Sequence, residues 1–192
     1  LSPERSFTKD LALEKQFGPL TVGVLAFDSA FDHKIDYVQI APFVYKYGNL
    51  AGVSRSDGIV YSGTLRNWGI FDALIVAYTS QNSVKSDGTA FLRIPKASLT
   101  ASAITHVDRI DFGLTWLWVG ERPDAYYNSG TFGTERVTLA SYSLASFQTG
   151  VHWNEAFSTR VIIGNLFNSV YTETTGYQTA GRRLEVECQY QF

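Results

Sequence analysis

The sequence predicts an all-β chain, an antiparallel transmembrane β-barrel of which about nine strands are present. Three observations predict it. The closing stretch alternates without a fault. Leu184, Val186, Cys188, Tyr190 and Phe192 fall on one parity, and Glu185, Glu187, Gln189 and Gln191 on the other. A period of two gives a strand one dry and one wet face. The connections between strand-like stretches alternate short and long along the chain, the layout of barrels with brief periplasmic turns and large extracellular loops. Finally, 45% of the residues are apolar, yet no apolar run is long enough for a transmembrane helix. Alternation averages such a composition to a mean hydropathy near zero, here -0.06. Taken alone, the closing stretch also fits the edge strand of a soluble sandwich, although sandwiches seldom keep so regular a loop alternation.

After the polar lead-in 1–6, Phe7, Leu11, Leu13 and Phe17 oppose Thr8, Asp10, Glu14 and Gln16, a first strand ended by the turn Gly18-Pro19. A second strand runs from Leu20 to about Ala30, with Leu25 and Phe27 blurring its faces. Residues 31–51, with Pro42, Gly48 and Asn49, read as a long connection. The third strand spans about Val53 to Leu65 and turns through Arg66-Asn67-Trp68-Gly69. In the fourth, Leu74, Val76 and Tyr78 oppose Ala73, Ala77 and Thr79. A Ser/Asn/Gly-rich connection covers about 80–94 and closes at Pro95-Lys96. The fifth strand, Leu99 to Val107, turns at Asp108-Arg109 into the sixth, where Phe112, Leu114, Trp116 and Trp118 oppose Asp111, Gly113 and Thr115. A third long loop runs from Glu121 to about Arg136. The seventh strand lies near Val137–Phe147, a polar turn near 150–155, the eighth strand near Phe157–Asn165, and the last long loop at about 167–182.

The net charge of -2 and the lack of any basic run give no nucleic-acid footprint. A single cysteine excludes an intrachain disulfide and a cysteine-based zinc site. No phosphate loop, nucleophile elbow or HExxH motif occurs, and His33, His106 and His152 are isolated in sequence. The residues therefore point away from an enzyme, with no catalytic residue, metal site or cofactor assigned. Asp28, Asp32 and Asp36 suit either loop calcium or, more commonly, a solvated face. Because bacterial single-chain barrels have even strand counts, about nine strands in a chain without methionine read as the C-terminal part of a larger barrel, a processed product or a fragment. The alternatives are a structural barrel half completed by another chain, and a soluble all-β binding module.

Several motifs carry a resemblance. Asn165-Leu166-Phe167-Asn168, Tyr171 and Gly176-Tyr177-Gln178-Thr179-Ala180-Gly181-Arg182, followed by the aromatic closing strand, resemble the end of TonB-dependent outer-membrane receptors. Leu1-Ser2-Pro3-Glu4-Arg5-Ser6, Ile35-Asp36-Tyr37 with Tyr47-Gly48-Asn49, Ile94-Pro95-Lys96, and Asp111 to Thr115 through Gly120-Glu121-Arg122-Pro123-Asp124 follow the family in order. Within it, the closing run is most similar to cobalamin receptors. Two departures, Gly58-Ile59-Val60 where Gly-x-Glu is common and Asp10 where Glu is usual, bear on the ligand rather than the fold.

The resemblance implies a barrel of about 22 strands, with residues 1–192 as its C-terminal part and the plug and first strands outside this chain. It implies a bacterial outer-membrane location with a periplasmic C-terminus, and import of a scarce small-molecule ligand of cobalamin or siderophore type, energised by the TonB complex through an N-terminal part. Partners would be outer-membrane lipid and the barrel-assembly machinery, with Leu184, Val186, Cys188, Tyr190 and Phe192 as the assembly signal. From the residues themselves, ligand contacts fall to the long-loop aromatics Tyr37, Tyr45, Tyr47, Tyr126 and Tyr127, which can stack on a flat ligand. The competing and commoner role of each is interfacial girdle or loop packing. Arg182 or Arg183 would pair with Glu185 or Glu187.

Overall fold

The period-two patterning becomes thirteen antiparallel strands among the described residues of a computed structural model, which describes residues 1–41 and 44–192. They are β1 (Arg5–Phe17), β2 (Leu20–Asp32), β3 (Ile35–Ala41), β4 (Val44–Asn49), β5 (Val53–Trp68), β6 (Phe71–Val84), β7 (Ala97–Val107), β8 (Ile110–Val119), β9 (Arg122–Asn128), β10 (Gly133–Leu139), β11 (Tyr142–His152), β12 (Phe157–Gly164) and β13 (Arg183–Tyr190). Nine form one sheet in the order β1-β2-β5-β6-β7-β8-β11-β12-β13. Two hairpins, β3–β4 and β9–β10, stand apart from it. The nine-stranded antiparallel sheet agrees with the expectation from sequence.

Tight turns close one end. Phe17 pairs with Leu20 around Gly18-Pro19, Trp68 with Phe71 around Gly69-Ile70, and Val107 with Ile110 around Asp108-Arg109. Gly18 and Gly69 take φ of 55° and 62°, the left-handed conformation that tight hairpins demand and glycine adopts without steric cost. All the long connections, 33–52, 85–96, 120–141 and 165–182, lie at the opposite end.

Register carries the alternation across the sheet. Leu13–Val24–Tyr61–Tyr78–Leu99–Trp118 is one continuous row, and Leu20–Leu65–Leu74–Ala103–Leu114–Phe147–Ile163–Leu184 another. The opposite face is polar, with hydroxyl pairs Thr8–Ser29 at 3.0 Å, Ser56–Ser83 at 2.7 Å and Ser102–Thr115 at 3.1 Å. Phe27 sits on that polar face because its neighbour in register is Gly58. A Cβ at Gly58 would lie 2.7 Å from the Phe27 ring and 2.5 Å from the Ser80 carbonyl oxygen.

Among the described residues nothing covers the apolar face. Leu13, Val76, Leu114 and Val186 are exposed, and among the described residues only Ala73, Leu139 and Ala145 are buried apolar residues. A sandwich would bury such a face against a second sheet. Here strands contact only their partners within a sheet, so the soluble-module reading has no second layer.

Several boundaries differ from expectation. The connections 31–51 and 121–136 contain the paired hairpins β3–β4 and β9–β10, because Tyr37 faces Tyr47 and Asp124 faces Val137 across ladders that composition does not reveal. Pro42 lies outside the described residues. The seventh sheet strand is Tyr142–His152 rather than 137–147. Val137–Leu139 is already paired to β9, and Phe147 lies mid-strand between Leu114 and Ile163. β5 and β6 run on to Trp68 and Val84, and the turn between them is Gly69-Ile70. Phe192 lies two residues beyond β13, with its ring edge-on to Tyr190 at 5.0 Å.

Candidate functional site

The long-loop end concentrates the aromatic and buried polar groups. On β3–β4 the register puts Tyr37 opposite Tyr47 and residue 39 opposite Tyr45, so the three tyrosines share one face. Tyr37 stacks on Tyr45 with centroids 5.2 Å apart and planes at 11°, and tilts against Tyr47 at 5.4 Å and 59°. Tyr37 and Tyr47 remain more than half exposed. Adjacent phenol rings held at stacking distance offer a flat, apolar surface edged with hydroxyls.

Motif residues hold the base of this hairpin. The Glu4 carboxylate accepts the Ile35 N–H at 3.0 Å. Asn49 accepts the Ser2 N–H at 2.7 Å and donates to the carbonyls of Ser2 and His33. On the other side the Lys85 ammonium donates to Asp36 at 2.5 Å. Partial burial pushes the Asp36 carboxyl up, but Lys85 and the Tyr37 N–H outweigh it and hold the group below its ordinary value.

The second hairpin is built differently. Tyr126 and Tyr127 are neighbours on β9 and point to opposite sides of it. The Tyr126 hydroxyl donates to Glu135 at 2.9 Å, while Asn128 and Thr131 donate to the other oxygen of the same carboxylate. Tyr127 is exposed. Among the described residues no contact joins β9–β10 to β3–β4, so the tyrosines singled out from sequence form one cluster of three and a separate pair facing apart.

Arg122 and Asp124, which lie within the Gly120–Asp124 motif, carry no role predicted from sequence. They are among the most buried polar groups, at 4% and 0% exposure. One Asp124 oxygen accepts from Arg93 Nε at 2.8 Å, and the other from the Thr175 N–H at 2.7 Å. Burial pushes this carboxyl up. The Thr175 and Ala125 N–H groups and the Arg93 guanidinium more than offset it, holding the carboxyl at about 2. Arg122 donates to the carbonyls of Ala140 and Thr172, and its guanidinium lies 4.9 Å from the Tyr142 ring centroid. Tyr142 in turn packs on Tyr171 at 4.6 Å. Asn165 closes a turn with Ser169, and Asn168 accepts the Arg182 N–H. Three connections thus meet at one buried carboxylate. Their only signal in sequence was the presence of charged residues within short motifs.

At the tight-turn end, on the polar face, Asp111 accepts from or shares protons with His106 and His152, each 2.6 Å away through a different oxygen. His106 and His152, isolated in sequence, are therefore brought together at Asp111, while His33 lies beside Asp32 at 3.0 Å. Arg160 lies 3.5 Å from Glu187, and Arg183 3.1 Å from Glu185. Leu184, Val186, Cys188 and Tyr190 share the apolar face of β13, which has no partner along its outer edge.

A family model described as "TonB dependent receptor-like, beta-barrel" matches residues 1–166. The vitamin B12 transporter BtuB of Vibrio cholerae serotype O1 is 24% identical over 192 residues, all of this chain and 30% of that protein. The siderophore receptor PirA from Acinetobacter baumannii superposes with a TM-score of 0.80 at 18% identity, over 100% of this chain and 32% of that one. The pyoverdine outer membrane receptor FpvA from Pseudomonas aeruginosa, bound to pyoverdine, gives 0.78 at 14%, over 100% and 30%. The chain therefore spans about a third of the length of the relatives it matches, and the structural likenesses speak for the fold.

Proposed function

Since the chain belongs to the TonB-dependent receptor β-barrel family, we propose that it supplies barrel wall and extracellular loops to an outer-membrane receptor. That receptor imports a scarce ligand of cobalamin or siderophore type with energy from the TonB complex. It is a transporter and not an enzyme. The ligand is bound and moved, with no bond made or broken in it. The exposed apolar face meets outer-membrane lipid and the polar face lines the lumen, which satisfies the demand that a spanning sheet present apolar side chains to hydrocarbon. With the long loops outside the cell, β13 ends on the periplasmic side. Its row Leu184, Val186, Cys188, Tyr190 and Phe192 is what the barrel-assembly machinery reads by pairing with an open strand edge. Coupling to TonB falls to a segment outside these 192 residues.

The observation that carries ligand recognition is the stacked, exposed face of Tyr37, Tyr45 and Tyr47. Tyr127 is a secondary contact. Tyr126, hydrogen-bonded to Glu135, contributes loop packing. The test is equilibrium binding to the full-length receptor in detergent, with cyanocobalamin and ferric pyoverdine as probes. One of them should bind, and Tyr37→Ala or Tyr47→Ala should weaken it about tenfold, the factor for ~1.4 kcal/mol. Tyr126→Phe should leave it unchanged. Full affinity in the double variant Tyr37→Ala/Tyr47→Ala would remove the hairpin from the site.

A further inference from the structure

Among the described residues the two loop hairpins do not touch, yet one segment is bonded to both. Residues 85–96 follow β6, and their first residue, Lys85, donates to Asp36 of β3–β4 at 2.5 Å. Eight residues later the Arg93 guanidinium donates to Asp124 of β9–β10 at 2.8 Å, and the Arg93 N–H to the Pro123 carbonyl at 2.6 Å. The second oxygen of Asp124 holds Thr175 of the 165–182 loop. The segment is itself stiffened. Lys85 N–H donates to Thr89 at 2.7 Å, Asp87 accepts from the N–H and hydroxyl of Thr89, and Ala90 bridges back to Val84. Ser86 N–H donates to Ser54, which is fully buried at the start of β5.

A short element fixed in shape and ionically joined at both ends cannot follow one hairpin without straining its joint to the other. Segments coupled in this way open together rather than singly. We propose that Lys85 and Arg93 are positioning residues and that segment 85–96 is a strap. The strap makes the tyrosine hairpin, the β9–β10 hairpin and the 165–182 loop one cooperative unit at the loop end. Its consequence for binding, a preassembled surface that loses little conformational freedom on contact, rests on the ligand reading above. The coupling itself does not, so it is tested without ligand.

The experiment is hydrogen–deuterium exchange with mass spectrometry on the full-length receptor in lipid nanodiscs, comparing wild type with Arg93→Ala and Lys85→Ala. Arg93→Ala should speed exchange about tenfold in 122–139 and 165–182, and also in 35–49, with whose described residues Arg93 makes no hydrogen bond or ion pair. Lys85→Ala should do the reverse, loosening 122–139 and 165–182 as well as 35–49. Amides of β5 and β6 should keep their protection, which reports an intact barrel. Arg93→Lys, which retains a cation in reach of Asp124, should restore protection in both hairpins even if Arg93→Ala assembles poorly. Loosening confined to the loop each residue touches, or no change at all, overturns the strap.

Discussion

Among the loop-end carboxylates, Asp124 is the fully buried one and sets the acid tolerance of the joint to the 165–182 loop. Asp124 is held at about 2, below its ordinary 3.8, so its contribution is complete above 3.8. It is lost only as pH falls from there through about 2, the sign expected of a depressed acid. Limited proteolysis of the 165–182 loop in the intact receptor should therefore be flat from pH 8 to 5 and accelerate only below about pH 4. Asp124→Asn removes the charge beside Arg93 and one acceptor. It should lower the free energy of local loop opening by roughly 1–3 kcal/mol at neutral pH, read as faster cleavage, and it should abolish the acid-dependent step. A cleavage rate in Asp124→Asn that still climbs below pH 4 would assign the step to another group.

Among the elements, the strands were legible and the joints between them were not. Phe112, Leu114, Trp116 and Trp118 announce β8 because period two is written locally, within ten residues of chain. The β3–β4 ladder is not written that way. Gly48 and Asn49 suggested a loop, while the pairing of Tyr37 with Tyr47 belongs to two stretches at once. The ionic joints are further from view: Asp36 with Lys85, Arg93 with Asp124 and Asp124 with Thr175 lie 49, 31 and 51 positions apart. Propensity and periodicity hold no information at such separations. The face assignment of each strand does give a sharp expectation. On β6, Val76 lies on the apolar face and Ala77 on the polar face. In urea titrations with lipid vesicles, Val76→Arg should cost about 2–4 kcal/mol and Ala77→Arg close to nothing. Equal costs would mean that the two faces share one solvent.

For the molecule as a whole, the nine-stranded sheet has two unpaired edges, β1 and β13, and a barrel abolishes edges only by closing. The complete receptor, extracted in detergent, should run as a compact band on a gel without heating and shift to its full apparent mass after boiling. A monomer that stays soluble without detergent would sink the membrane assignment.

With only two buried apolar residues among those described, Ala73 and Ala145, this sheet has almost no inside in the sense that a water-soluble domain has one. On the membrane reading proposed above, its hydrophobic stabilisation is completed by a second substance, and the surrounding medium acts as a folding partner whose thickness and chemistry enter the stability directly. The usual rule of tolerance is turned over. The most exposed aliphatic side chains, which would be free to drift in an aqueous protein, are on that proposal those on which residence in the membrane depends. The hydroxyl-lined face behind them, already bearing polar pairs such as Ser56–Ser83 and Ser102–Thr115, is where polar substitution costs least.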